Sequence, residues 1–188
     1  MKKVFLIHGW GGHVEEGWFP WLKASLEKEG LEVSVPVMPD TNNPKIDEWV
    51  DCLRETVGDF DQDTYFVGHS IGCQAILRFL EKAVQGKCGG VIMVAPWVEL
   101  FELETEEEDE IASRWDKSSM DAEKIKKKAD KIFAIFSDND PCVPLEANRR
   151  YFENEFGAEV IIEKGKRHFS GDDDINELPV VLCVIRNL

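Results

Sequence analysis

The chain predicts an α/β fold built on a parallel sheet, and three observations predict it. Short apolar runs rich in branched residues alternate with longer stretches of helical period, which is how strands buried on both faces and their crossover helices read. One run, Tyr65-Phe66-Val67, passes into Gly68-His69-Ser70-Ile71-Gly72, a serine between glycines where the strand pattern gives way to a helical one. The 188 residues, 43% of them hydrophobic, are enough for one substantial core and short for two, so a single domain over residues 1–188 is expected.

Strands are expected at 3–7, 31–37, 64–67, 90–95, 132–136 and 159–162, sufficient for a compact doubly wound αβα arrangement. Between them, 19–29 carries Leu22 and Leu26 on one face, and Ile46, Trp49, Val50, Leu53 and Val57 recur at a spacing close to helical. Ile76, Phe79, Leu80 and Ala83 give the segment after Ser70 the same habit. Pro144 at the entry and Gly157 at the exit bracket a helix over 144–156. A last helix, marked by Ile175, Leu178, Leu182 and Ile185, is expected to begin near Asp172-Asp173-Asp174, with the aspartates as its acidic cap and Pro179 near its start. The exception is about 97–120, where Glu102 to Glu110 concentrate charge beside Trp97, Phe101 and Trp115. Repulsion there predicts a mobile excursion in place of a sheet element, either a small flap or a solvated loop or short helix passing over the surface.

Acidic residues outnumber basic ones 37 to 22, and a formal charge of −15 repels nucleic acid and anionic lipid. The apolar run after Met1-Lys2-Lys3 is too short for a secretory signal, and no run approaches transmembrane length. These features predict a cytoplasmic protein without nucleic-acid or membrane partners. Cys52, Cys73, Cys88, Cys142 and Cys183 lack metal-ligand spacing and read as reduced thiols. His8 and His13 form no tight cluster, the aspartate run lacks the spacing of a calcium loop, and Gly9-Trp10-Gly11-Gly12 fits neither phosphate-loop nor dinucleotide patterns. No metal and no cofactor is therefore expected.

A serine hydroxyl is a weak nucleophile near neutral pH and needs a base, usually held by an acid. Asp140 lies just beyond the strand at 132–136, and His168 follows the last strand in Gly165-Lys166-Arg167-His168-Phe169. The order serine, aspartate, histidine suits a nucleophile raised at the top of an α/β sheet. Asp138 follows the same strand as Asp140; Asp140 is preferred as the acid, which leaves Asp138 to cap the turn or bind backbone amides. His69, adjacent to Ser70 in the turn, is poorly placed to take its proton and is assigned structural support. Backbone N–H groups of Trp10, in the glycine turn after the first strand, and of Ile71, after the nucleophile, are the expected oxyanion donors. Trp97 and Phe101, with Trp10, are candidates for an apolar wall around a small acyl substrate; packing between loops is the other reading of the same residues.

The whole chain resembles the small serine hydrolases grouped with retinoblastoma-binding protein nine and the bacterial YdeN proteins. The resemblance is carried by the glycine turn near Gly9, Trp18 to Trp21, Met38-Pro39-Asp40, Gly68-His69-Ser70, Asp138 to Pro144 and Gly165 to Phe169. It implies Ser70 as nucleophile, Asp140 as acid, His168 as base, and a trimmed α/β-hydrolase sheet of order 2-1-3-4-5-6. That order sets a topological switch between strands one and three, where open parallel sheets bind ligands. The expected activity is carboxylesterase-like, with amide or aminopeptidase-like hydrolysis, or a binding module of low turnover, as alternatives. The Leu-x-Cys-x-Glu segment of the human relative is absent, so its protein partner is not carried over and the partner stays unassigned.

Overall fold

The computed structural model describes residues 1–103, 105–115 and 120–188. Six parallel strands, β1 (Lys3–Ile7), β2 (Glu32–Ser34), β3 (Thr64–His69), β4 (Gly90–Val94), β5 (Ile132–Ser137) and β6 (Glu159–Glu163), lie in the order 2-1-3-4-5-6. Each strand sends alternate side chains to opposite faces, as the pleat requires. Phe5, Ile7, Phe66, Val91 and Met93 enter one core, with Trp49 and Leu53 of α2 (Ile46–Val57), Leu77 of α3 (Ile71–Lys82) and Phe152 of α6 (Leu145–Phe156). Val4, Leu6, Val67, Ile92 and Val94 enter the other, with Leu22 and Leu26 of α1 (Phe19–Lys28) and Val181 and Ile185 of α7 (Pro179–Arg186). The result is the three-layer sandwich of a trimmed α/β hydrolase.

Two elements depart from expectation. The second strand was expected over 31–37 but ends at Ser34, because Pro36 has no N–H for the ladder. The last helix begins at Pro179 and not at the aspartates: Gly171–Asp173 form a single 3₁₀ turn, and Asp174 takes a left-handed φ of 60° that stops it. Leu178 is extended (φ −133°, ψ 74°), as a residue before proline must be, so Ile175 and Leu178 pack on the core from outside any helix.

The acidic excursion contains a helix, α4 (Glu106–Ser113), followed by the short α5 (Ala122–Lys126). Thr105 accepts from Glu108 N while Glu108 reaches back to Thr105 N, a reciprocal capping box, and four carboxylates in the first turn face the positive end of the helix dipole. Trp115 is fully buried, its Nε1 donating to Pro44 O at 3.1 Å. The parts of the expected excursion at 104 and 116–119 lie outside the described residues.

Candidate active site

Ser70 stands at the end of β3 in a sharp turn with φ 52° and ψ −120°, the left-handed half of backbone space that a side chain resists. A strain of about 1–3 kcal/mol is typical of such a position. The flanking glycines are steric requirements. A Cβ on Gly68 would meet Cys73 N at 2.7 Å, and one on Gly72 would meet Ile7 O and His8 O at 2.5 and 2.6 Å. The glycine turn after β1 packs against the same turn, a Cβ on Gly9 lying 3.0 Å from His69 Nδ1 and 3.5 Å from Ser70 Cβ. Helix α3 thus starts hard against the end of β1, at the topological switch.

The Ser70 Oγ lies 3.0 Å from His168 Nε2. On the other side of the ring, His168 Nδ1 donates to Asp140 Oδ2 at 2.9 Å and approaches Oδ1 at 3.1 Å. Asp140 Oδ1 also accepts from the backbone of Cys142 and Val143, at 2.8 and 3.0 Å, and the Asp140 side chain is 3% exposed. A carboxylate offers acceptors alone, so the ring hydrogen sits on Nδ1 and Nε2 presents its lone pair to the hydroxyl. Asp138 is elsewhere, its Oδ1 accepting from Gly165 N at 2.8 Å, the amide-binding role that preference for Asp140 left to it.

The loop that carries His168 is fixed at successive backbone amides. Gly165, Lys166 and Arg167 donate to Asp138 Oδ1, Ser137 Oγ and Asn139 Oδ1, from the last residue of β5 and the loop that follows it. His168 N donates to Asp173 Oδ2 at 3.0 Å, and Asp173 Oδ1 pairs with Arg167 Nε at 2.7 Å. On Asp173 burial pulls upward, but Arg167, Ser170 and the His168 amide outweigh it and hold the carboxyl below its ordinary pKa. The carbonyl of His168 accepts from His69 Nε2 at 2.7 Å. Burial and the neighbouring His168 push the His69 pKa down to about 3, so this ring is a neutral donor, in keeping with structural support. Arg167 and Phe169 both take positive φ (48° and 57°), which these tethers and the Trp18 Nε1 to Phe169 O bond (3.0 Å) sustain.

The triad opens into a cleft of about 720 Å³ lined by Gly9, Trp10, Trp97, Leu100, Leu103 and Pro141. Phe101, 51% exposed, does not line it, whereas its neighbours Leu100 and Leu103 do. Sequence reading missed those leucines, the tethers from Ser137, Asn139 and Asp173, and Glu16, which also lines the cleft. For Asp173 the signal was the aspartate run, read there as a helix cap. Among the described residues, Asp140, Cys142 and His168 hold ligand atoms within 4.8 Å of one another. Two of these three are already hydrogen-bonded as acid and base, so the cluster is the triad with a neighbouring thiol. No helix among the described residues is long and apolar enough to cross a membrane.

Fold and site define an α/β hydrolase with a serine nucleophile, and the serine hydrolase family model matches residues 4–187; the chain belongs to that family. Within it, the chain is similar to the YdeN protein of Bacillus subtilis (strain 168), 31% identical over 185 residues that span 98% of this chain and 94% of YdeN. The crystal structure of the B. subtilis ydeN gene product superposes with a TM-score of 0.89 over 100% of this chain and 98% of that one, at 31% identity. The serine hydrolase RBBP9 of Rattus norvegicus is 28% identical over 145 residues, 76% of this chain and 74% of its own length. The resemblance to this group and the expected strand order both hold.

Proposed function

We propose that the protein hydrolyses small carboxylic esters, with Ser70, His168 and Asp140 as nucleophile, base and acid. The observation that carries the reading is the unbroken line from Ser70 Oγ through His168 to Asp140 at the floor of an open cleft. As Oγ attacks the carbonyl carbon, its proton passes to His168 Nε2, and Asp140 stabilises the imidazolium that forms. Backbone N–H groups of Ile71 and Trp10 receive the oxyanion. In support, the Ile71 amide is the first of α3 and has no acceptor within the helix, while Trp10 lines the cleft one residue beyond Gly9. Imidazolium then protonates the leaving oxygen, an acyl-serine remains, and water repeats the sequence to release the acid. Trp10 and Trp97, with Leu100 and Leu103, supply the apolar wall for the acyl chain. A cytoplasmic setting belongs to the same reading, supported by five cysteines that are all unpaired.

A fluorophosphonate probe tests the assignment. It should label the wild type at Ser70 and leave Ser70→Ala untouched; equal labelling of both would remove Ser70 from the chemistry. A panel of short esters, thioesters and amides should show esters turned over fastest, and faster amide cleavage would move the activity to an amidase.

A further inference from the structure

We infer that the catalytic cleft selects acyl substrates carrying a positively charged nitrogen, and that Glu16 is the residue that reads this charge. The inference rests on the reading of Ser70 as nucleophile. Around that nucleophile the cleft is lined by Glu15, Glu16, Glu108, Asp172 and Asp173, with no lysine or arginine among the described lining residues. Two of the five carboxylates are engaged, Asp173 by Arg167 and Ser170, and Glu108 by the N-terminus of α4.

Glu16 is in a different condition. Its Oε2 is buried and has no hydrogen-bond partner among the described residues. The carboxylate is turned in against Gly12, where a Cβ would stand 2.5 Å from Oε2 and 3.0 Å from Gly9 O, and Gly9 in turn abuts Ser70. The glycine turn thus has this carboxylate against Gly12 and the nucleophile against Gly9. The backbone of Glu16 is held on both sides, its N–H on His13 O and its C=O accepting from Phe19 N, each at 3.1 Å.

Two penalties follow from that position. A half-desolvated carboxylate with an unmatched oxygen has given up hydration without replacing it. Its field, poorly screened by solvent, also opposes the negative charge that forms on the acyl oxygen beside the same turn. A cation in the cleft offsets that field, which a neutral group does not do and an anionic group makes worse. The half-buried Trp10 lines the same cleft, and an aromatic ring there suits a quaternary or protonated nitrogen through its ring electrons.

The experiment uses two p-nitrophenyl esters of one shape: that of γ-trimethylammonio-butanoate, and its isostere in which carbon replaces the quaternary nitrogen. Each kcat/KM is divided by the ester's own rate with hydroxide, at low ionic strength. The wild type should favour the cationic ester by about tenfold or more, and Glu16→Gln should bring the ratio near unity. Because the ratio is taken within one preparation, any loss of folded enzyme cancels. A wild-type ratio near one overturns the inference, as does a preference that survives Glu16→Gln intact. Cleavage of the neutral ester without a cationic advantage removes this inference and leaves the hydrolase reading standing. Labelling of Ser70 by a neutral fluorophosphonate with no cleavage of the cationic ester has the same meaning. Absence of both labelling and hydrolysis removes both.

Discussion

At the scale of single residues, the two aspartates after β5 divide the work of the site. Asp140 holds the histidine ring, and its replacement by Asn turns one oxygen into an N–H donor facing Nδ1, which favours the wrong tautomer. We expect Asp140→Asn to lower kcat by about four orders of magnitude with circular dichroism unchanged. Asp138→Asn, which keeps an acceptor for Gly165 N, should cost far less; comparable losses in both would contradict the division. His69 and Asp173 act one step further out, gripping the carbonyl and the amide of His168. Neither touches the reacting atoms, so both are positioning residues. His69→Ala should lower kcat by more than it raises KM for a short ester, because the ring left unheld is the base. A rise in KM alone, with kcat preserved, would refute that role.

At the scale of elements, the nucleophile turn depends on two contacts that no rearrangement of side chains can relieve. A methyl group on Gly72 would be driven into carbonyl oxygens of β1, and one on Gly68 into the backbone of α3. Gly72→Ala should therefore lower the urea midpoint by the equivalent of several kcal/mol, at the upper end of about 1–3 kcal/mol for an overpacked site or beyond; a shift too small to resolve would mean that β1 and α3 can slide apart. The elbow was legible in the sequence because its glycines and the change of period come together at one point. The strands were legible for the same reason: branched apolar runs have few other uses. Helix α4 was legible only as the alternative of a short surface helix, because charge repulsion across Glu102 to Glu110 hid the Thr105-x-x-Glu108 box, which satisfies the first amides locally and turns the same carboxylates to advantage at a helix start. The start of α7 was misplaced because Leu178 is buried and Ile175 partly buried without either being helical. Periodicity records burial, and a buried extended segment can imitate it.

At the scale of the molecule, the balance of charge and burial sets the response to acid. His8 and His69 are buried and neutral; burial lowers both pKa values, that of His69 to about 3, while an unfolded chain would protonate them near pH 6.5. The unfolded state therefore binds more protons below that pH. Their contribution is complete above about 6.5 and is lost as the pH falls below it, that of His69 down to about 3, at up to ~1.4 kcal/mol per unit for a single group. Asp173, lowered in the folded state, adds a loss in the same direction once the pH drops below the ordinary carboxylate range. Urea midpoints measured from neutral to mildly acidic pH should fall steadily, and His69→Gln should flatten the slope. An unchanged slope in that variant would show that His69 does not titrate on unfolding.

The ties between the loops after β5 and β6 carry one more implication. With Ser137, Asp138 and Asn139 binding three consecutive amides of the facing loop, acid and base ride on a common plate, and the bond from His69 at the end of β3 to the His168 carbonyl joins that plate to the turn of the nucleophile. The imidazole is thereby moored on two sides, to the acid's loop and to the serine's own strand, so a displacement of either mooring is felt at the base.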